Sequence, residues 1–214
     1  MKKFQKMLIV SFLALFLVPA FTFAHQPRIV ESRQNIVPNP EISKAYYATL
    51  AGEPDVYIIN ADTAFDLYVN ILVPDIAGQK KDVSVEILKD GDKSPLATLA
   101  GQPSDWKKFY EPFGADTYWM GPEYKARAEA GTYEIRVSSP NNDTKYSLAI
   151  GELEKFDSKE GMNALISIPQ IKMHFFNKSF FSIFKSPFIY GPSLVLVVVI
   201  ILVIFIIRRI KHRK

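Results

Sequence analysis

His25 carries the most pointed chemistry in the chain. Removal of the residues before it would leave an amino-terminal histidine, whose amine and imidazole together suit copper. Such a centre takes a second histidine, and only His174 and His212 are available, one next to an apolar stretch and one in a basic tail. Asp90 and Asp92 form a second candidate, with Asn141, Asn142 and Asp143, because clustered side-chain oxygens suit calcium. Neither segment has the spacing of an EF-hand loop, and turns favour these residues for their own backbone chemistry. The third candidate is aromatic. Trp106, Tyr110, Tyr118 and Trp119, with Phe109 and Tyr124 between and beyond them, could form a platform for a sugar or a peptide. The same residues could instead fill a core or cover a sheet edge.

Catalysis has little to draw on. Three histidines are spread over the chain and no serine–histidine–acid set can be assembled from them, while the absence of cysteine excludes thiolate metal sites and cysteine nucleophiles. The sequence therefore points to a non-catalytic protein with no cofactor.

The elements that would hold these residues are strands. Phe65, Leu67, Val69, Ile71 and Val73 alternate with Asp66, Tyr68 and Asn70. Val83, Val85 and Ile87 alternate with polar residues, as do Tyr133, Ile135 and Val137, and Tyr146, Leu148 and Ile150 alternate with Ser147 and Ala149. Period two with one apolar face predicts a sheet that is wet on its other side. Ala45–Leu50, Val56–Asn60 and Leu96–Leu99 are weaker strands of the same kind. Gly52-Glu53-Pro54-Asp55, Asp90-Gly91-Asp92 and Pro140-Asn141-Asn142-Asp143 punctuate the runs with turn chemistry. Short strands at this spacing predict a mainly β fold, an antiparallel β-sandwich over 44–156, with residues 25–43 as an extended lead-in.

One stretch is more specific. Ala130-Gly131-Thr132-Tyr133-Glu134-Ile135-Arg136-Val137, followed by Lys145-Tyr146-Ser147-Leu148-Ala149-Ile150, resembles the last two strands of bacterial pre-peptidase C-terminal domains, and Phe65-Asp66-Leu67-Tyr68-Val69 is similar to their central strand. The resemblance covers about half of residues 44–152. It implies a small, jelly-roll-like accessory domain without catalytic activity; unlike that family's usual setting, no peptidase precedes it here.

The two ends set the compartment. Lys2, Lys3 and Lys6 precede an apolar run from Met7 to Phe21, and Thr22 and Ala24 occupy the small-residue positions of a cleavage site. Residues 1–24 thus read as a secretory signal peptide. Phe188–Ile207 carries no charge, and as a helix it would cover about 30 Å, the thickness of a bilayer core. Arg208 and Arg209 open a tail, 208–214, whose basic charge should stay cytoplasmic. Between domain and span, 157–187, Asp157 and Glu160 have capping-box spacing and predict a short helix up to Pro169. Phe175, Phe176, Phe180 and Phe181 then alternate with lysines up to Lys185, a composition that suits a membrane–water interface.

Charge separates in the same way. Residues 25–157 hold 14 Lys/Arg against 21 Asp/Glu, a net −7, while the remaining segments are basic. The exposed domain is acidic, which argues against nucleic acid as a partner. The sequence therefore reads as a single-pass protein of the cell membrane. Its sandwich lies outside the cytoplasm and binds or scaffolds other envelope components, a protein or a surface glycan. The alternative is a sandwich that binds a carbohydrate, calcium or copper.

Overall fold

A computed structural model describes residues 25–102 and 105–211. The expected leader, Met1–Ala24, lies outside the described residues, as does the end of the basic tail. Eleven strands are described: β1 Gln26–Ile29, β2 Gln34–Ile36, β3 Lys44–Thr49, β4 Asp55–Ala61, β5 Phe65–Pro74, β6 Ser84–Lys89, β7 Ala97–Ala100, β8 Lys107–Glu111, β9 Asp116–Ala128, β10 Gly131–Ser138 and β11 Lys145–Ile150. They form a six-stranded sheet, β1-β3-β11-β5-β9-β8, and a five-stranded sheet, β2-β4-β10-β6-β7. The two make a β-sandwich. All pairings are antiparallel except β1 with β3 and β2 with β4.

The alternating residues meet as expected. Leu67, Val69, Ile71 and Val73 face Tyr57, Ile59, Val85, Ile87, Ile135 and Val137 in one buried core. Two core tyrosines keep their hydroxyls satisfied: Tyr57 and Tyr146 share a hydrogen bond of 2.8 Å, and Tyr146 donates to Asp55 at 2.7 Å. Each fully buried Leu, Ile or Val of this core contributes roughly 1.5–3 kcal/mol.

Residues 25–43 are more than a lead-in. They add an edge strand to each sheet, β1 and β2, both parallel to their neighbours. Pro27 within β1 is tolerated because an edge strand has no second neighbour to receive its missing N–H.

The outer face of the six-stranded sheet departs from the expectation of a wet surface. Helix α1, Ser158–Gln170, starts at Asp157, whose carboxylate accepts from the Glu160 amide at 3.0 Å. It runs through Pro169 into a π-helical turn, Ile171–Phe175. Ile171, Phe175 and Phe176 then pack on Leu72, Tyr118 and Ala149 of the sheet. The rings of Phe175 and Phe176 lie 5.2 Å from Tyr47 and 5.0 Å from Tyr118. Phe175 and Phe176 are therefore buried roof residues of the sandwich rather than membrane-interface residues. A ring that can bury against a preformed aromatic face gains more by leaving water altogether than by straddling a headgroup layer.

Polar latches hold the roof down. Lys145, at the start of β11, donates to the carbonyls of His174 and Phe175 at 2.6 and 3.1 Å, capping the end of the π-turn. Lys172 and Lys178 both reach Asp116, at 2.9 and 2.6 Å. Arg28 of β1 grips Glu160 with two hydrogen bonds of 2.8 Å.

A 3-10 turn, Phe180–Lys185, leads into helix α2, Pro187–Lys211. The junction is tied back where the Ser186 hydroxyl donates to the Phe113 carbonyl at 2.6 Å. The helix has 25 residues. Among the described residues no helix is long and apolar enough to cross a membrane.

Candidate functional site

The outer face of the six-stranded sheet carries a recess walled by residues of β3, β5, β8, β9 and β11, beside the roof. Its volume is about 220 Å³, with a further pocket of about 30 Å³ sharing His25, Tyr47, Glu111 and Tyr118. β3 and β9 point Tyr47 and Tyr118 outward at facing positions, where their hydroxyls meet at 3.0 Å. Asn70 turns its amide N–H₂ to the carbonyls of Gly121 and Pro122, both at 3.1 Å, across a bulge in the β5–β9 pairing. Leu72, Phe109, Met120 and Ala149 complete a largely apolar wall.

The charged groups here are structural first. The Glu111 carboxylate accepts from the Phe113 and Gly114 amides at 2.7 and 2.6 Å, closing the tight loop between β8 and β9. Gly114 is needed there: a Cβ would stand 2.9 Å from Glu111 Oε2 and 3.0 Å from Asp116 Oδ2. Burial pushes the Glu111 carboxyl up, with Asp116 adding to the shift and the two amides offsetting part of it. Burial likewise raises the Tyr47 and Tyr118 phenols, so both stay protonated. Burial lowers Lys172, which the Asp116 carboxylate opposes.

His25 lies at the edge of this recess. Its Nδ1 is paired with the Ser43 hydroxyl, which in turn donates to Glu154 at 3.3 Å. Burial lowers its pKa, against the pull of Glu154. The order acid–serine–imidazole is wrong for a relay, because the carboxylate sits on the serine and not on the imidazole that would have to be oriented. Among the described residues no group of three or more His, Cys, Asp or Glu is placed to hold a metal ion.

The other sequence candidates are dispersed. Asp90 and Asp92 stand in the turn after β6; Asp90 has φ +50° and accepts from the Thr132 amide at 2.8 Å, a turn-closing role. Trp106 is inside the sandwich core, where Gly121 makes room for it: a Cβ at that glycine would be 2.9 Å from the indole. Trp119 packs against the same core, donates to Asp75 at 3.0 Å and carries the Lys81 ammonium 4.0 Å from its ring. Tyr118 points the opposite way, into the recess, and Tyr110 is exposed on the edge strand β8. The four aromatics thus form no common platform. Phe180 and Phe181 are exposed, the latter at 77 %, as are Lys185 and Arg208; the side chain of Arg209 lies outside the described ones.

Sequence reasoning missed Tyr47, Glu111 and Asp116. One signal was present: the outward-facing residues of β5 and β11 include Asn70, Ser147 and Ala149, which are uncharged, whereas a solvated face normally carries charge.

No family model matches the chain, and no curated protein matches it. Among solved structures it is similar to the pre-peptidase C-terminal domain of a collagenase from Bacillus anthracis, with 11% identity and a TM-score of 0.33 over 60% of this chain and 95% of that one. It is also similar to a surface-associated copper-binding protein of Methylomicrobium album BG8, with 10% identity and a TM-score of 0.31 over 59% of this chain and 100% of that one. A β-glucosidase from Paenibacillus barengoltzii shares 12% identity at a TM-score of 0.26, over 58% of this chain and 13% of the enzyme.

Proposed function

We propose that this protein is a membrane-anchored, extracytoplasmic β-sandwich that binds or scaffolds other envelope components without catalysing a reaction. The observation that carries the anchor is helix α2. Leu196, Val197, Val199, Ile200, Ile201, Val203, Ile204, Phe205 and Ile207 are all exposed. At 100° per residue these positions span about 240° around the axis, much wider than the apolar stripe of a helix packed by one face on a protein. Hydrocarbon is the solvent that suits such a surface, and the uncharged run Phe188–Ile207 in the sequence has the length that a bilayer core takes.

The flanks agree with that reading. Phe180, Phe181, Phe184 and Lys185 are exposed just before the helix, and Met162 and Ile166 of α1 are exposed beside them. They make a collar suited to the headgroup layer. Residues 1–24 supply the export signal, and the basic tail keeps the C-terminus inside. The partner class follows from charge: an acidic domain with ion-paired outer strands, such as Arg136 with Glu134 at 2.6 Å, suits a protein or glycan surface and not a nucleic acid.

The test is topological. Protease added to intact cells, or to protoplasts where a wall intervenes, should remove residues 25–157 and leave an epitope on Lys214 protected and membrane-bound. Digestion of that epitope without permeabilisation, or release of the protein by carbonate extraction, would overturn the anchor. Pull-down of the full chain from mild detergent then identifies the partner.

A further inference from the structure

The recess beside the roof has properties that the anchor does not use. It is walled by outward residues of β3, β5, β8, β9 and β11 with His25 at its edge, and Ile171, Phe175 and Phe176 of the roof pack against the same Leu72, Tyr118 and Ala149. Its volume of about 220 Å³ exceeds that of an engineered cavity of about 150 Å³ that binds benzene, so one substituted six-membered ring fits. We propose that it is a binding site for a single uncharged phenolic ring.

The lining selects that class. Tyr47, Phe109, Tyr118 and Met120 offer aromatic faces and a thioether to a flat ring. The tyrosine pair offers hydrogen bonding to one hydroxyl: the two phenols satisfy each other through one proton, which leaves a second O–H to donate. The oxygen of Asn70, whose N–H₂ is already committed to Gly121 and Pro122, is an acceptor.

Other classes fit less well. A monosaccharide would bury several hydroxyls against Leu72, Ala45 and Ala149, which cannot bond them. An anion would meet the Glu111 carboxylate. A cation would find that carboxylate already committed to the Phe113 and Gly114 amides. The site lies outside the membrane collar, so it stands or falls separately from the anchor.

The probe is 4-fluorophenol, followed by fluorine NMR on the full chain in detergent micelles. Empty micelles give the non-saturable partition. The expected result is a saturable protein-dependent signal, displaced by unlabelled phenol and not by a hundredfold excess of glucose. Ala149→Leu, which fills the recess, should abolish it, while Ala100→Leu on the opposite sheet leaves it unchanged. The double variant Tyr47→Phe with Tyr118→Phe keeps the shape and removes both hydroxyls. It should weaken binding about tenfold, the loss of one buried hydrogen bond, and it serves as the decisive variant should Ala149→Leu not fold. Absence of a saturable signal, displacement by glucose, or unchanged affinity in the double variant would each overturn the proposal.

Discussion

The two sheets of the sandwich present opposite solutions on their outer faces. Both are built from strands that alternate apolar and polar residues. On the five-stranded sheet the outward residues of β6 and β10 are Glu86, Glu134 and Arg136, half-buried and paired with one another at 2.6 and 3.8 Å. On the six-stranded sheet the outward residues Asn70, Leu72, Ser147, Ala149 and Tyr118 are all buried, and charge returns farther along β5, at the exposed Asp66. The difference is the roof of α1 and the π-turn. Strand periodicity alone cannot distinguish a solvated outer face from a covered one. The kind of residue on that face can: charge marks water, and small, neutral or aromatic residues mark a cover.

The largest effect that would sharpen this contrast is expected at Asp116. Its carboxylate is the partner of Lys172, whose side chain is 0% exposed. Asp116→Ala leaves a buried ammonium without a counter-charge. Such a change should cost about 3–5 kcal/mol, whereas Glu134→Gln on the open sheet should stay within about 0.5 kcal/mol. Hydrogen exchange locates the loss: amides of Ile171–Phe176 should lose protection first, because the roof is the unit that Asp116 holds. Equal destabilisation by the two substitutions would show that the roof is not latched there.

A smaller effect is expected at Asn70, whose neighbour in sequence, Val69, faces the inner core. Asn70→Asp replaces an N–H₂ that serves two carbonyls with an oxygen that repels them. Two acceptors lose their donor, at about 1–3 kcal/mol in all. On an open sheet face the same change would be mild. Urea melts of Asn70→Asp and of Thr132→Ala, on the five-stranded sheet, make the comparison; matching midpoints would mean that the outer face at Asn70 is wet.

Much of the fold was legible for physical reasons. Val69 and Ile135 fall on inner faces because period two leaves them no other place, and the Asp157 cap formed because its carboxylate meets an orphan amide three residues on. Other features left no local trace. β1 and β2 span only four and three residues, too few for periodicity to register. β9 runs through Gly121-Pro122, which reads as a break, and the bulge that accommodates it depends on Asn70 some fifty residues away. Tyr118 and Trp119, adjacent on β9, had to face opposite sides, so a shared platform was excluded by the same alternation that predicted the strand. Phe175 and Phe176 differ from Phe180 and Phe181 only in being within reach of the sheet, a tertiary fact.

The smallest effect concerns the other end of the roof and tests it through pH. Arg28 grips Glu160 where α1 meets β1. Partial burial works to raise the Glu160 carboxyl, but the Arg28 hydrogen bonds and charge outweigh it and hold it below the usual carboxylate value. Because the folded state holds this proton less tightly than the unfolded chain does, the pair's contribution is complete above the unfolded value. It is lost as pH falls through the lower, folded one. The pair is partly exposed, so its contribution is at most about 1 kcal/mol. Glu160→Gln should therefore destabilise the protein slightly at pH 7 and converge on the wild type as the pH falls below the carboxyl's lowered, folded value. A difference that persists undiminished below that value would mean that Glu160 acts through packing and not through charge, and that electrostatic latching of the roof is confined to its Asp116 end.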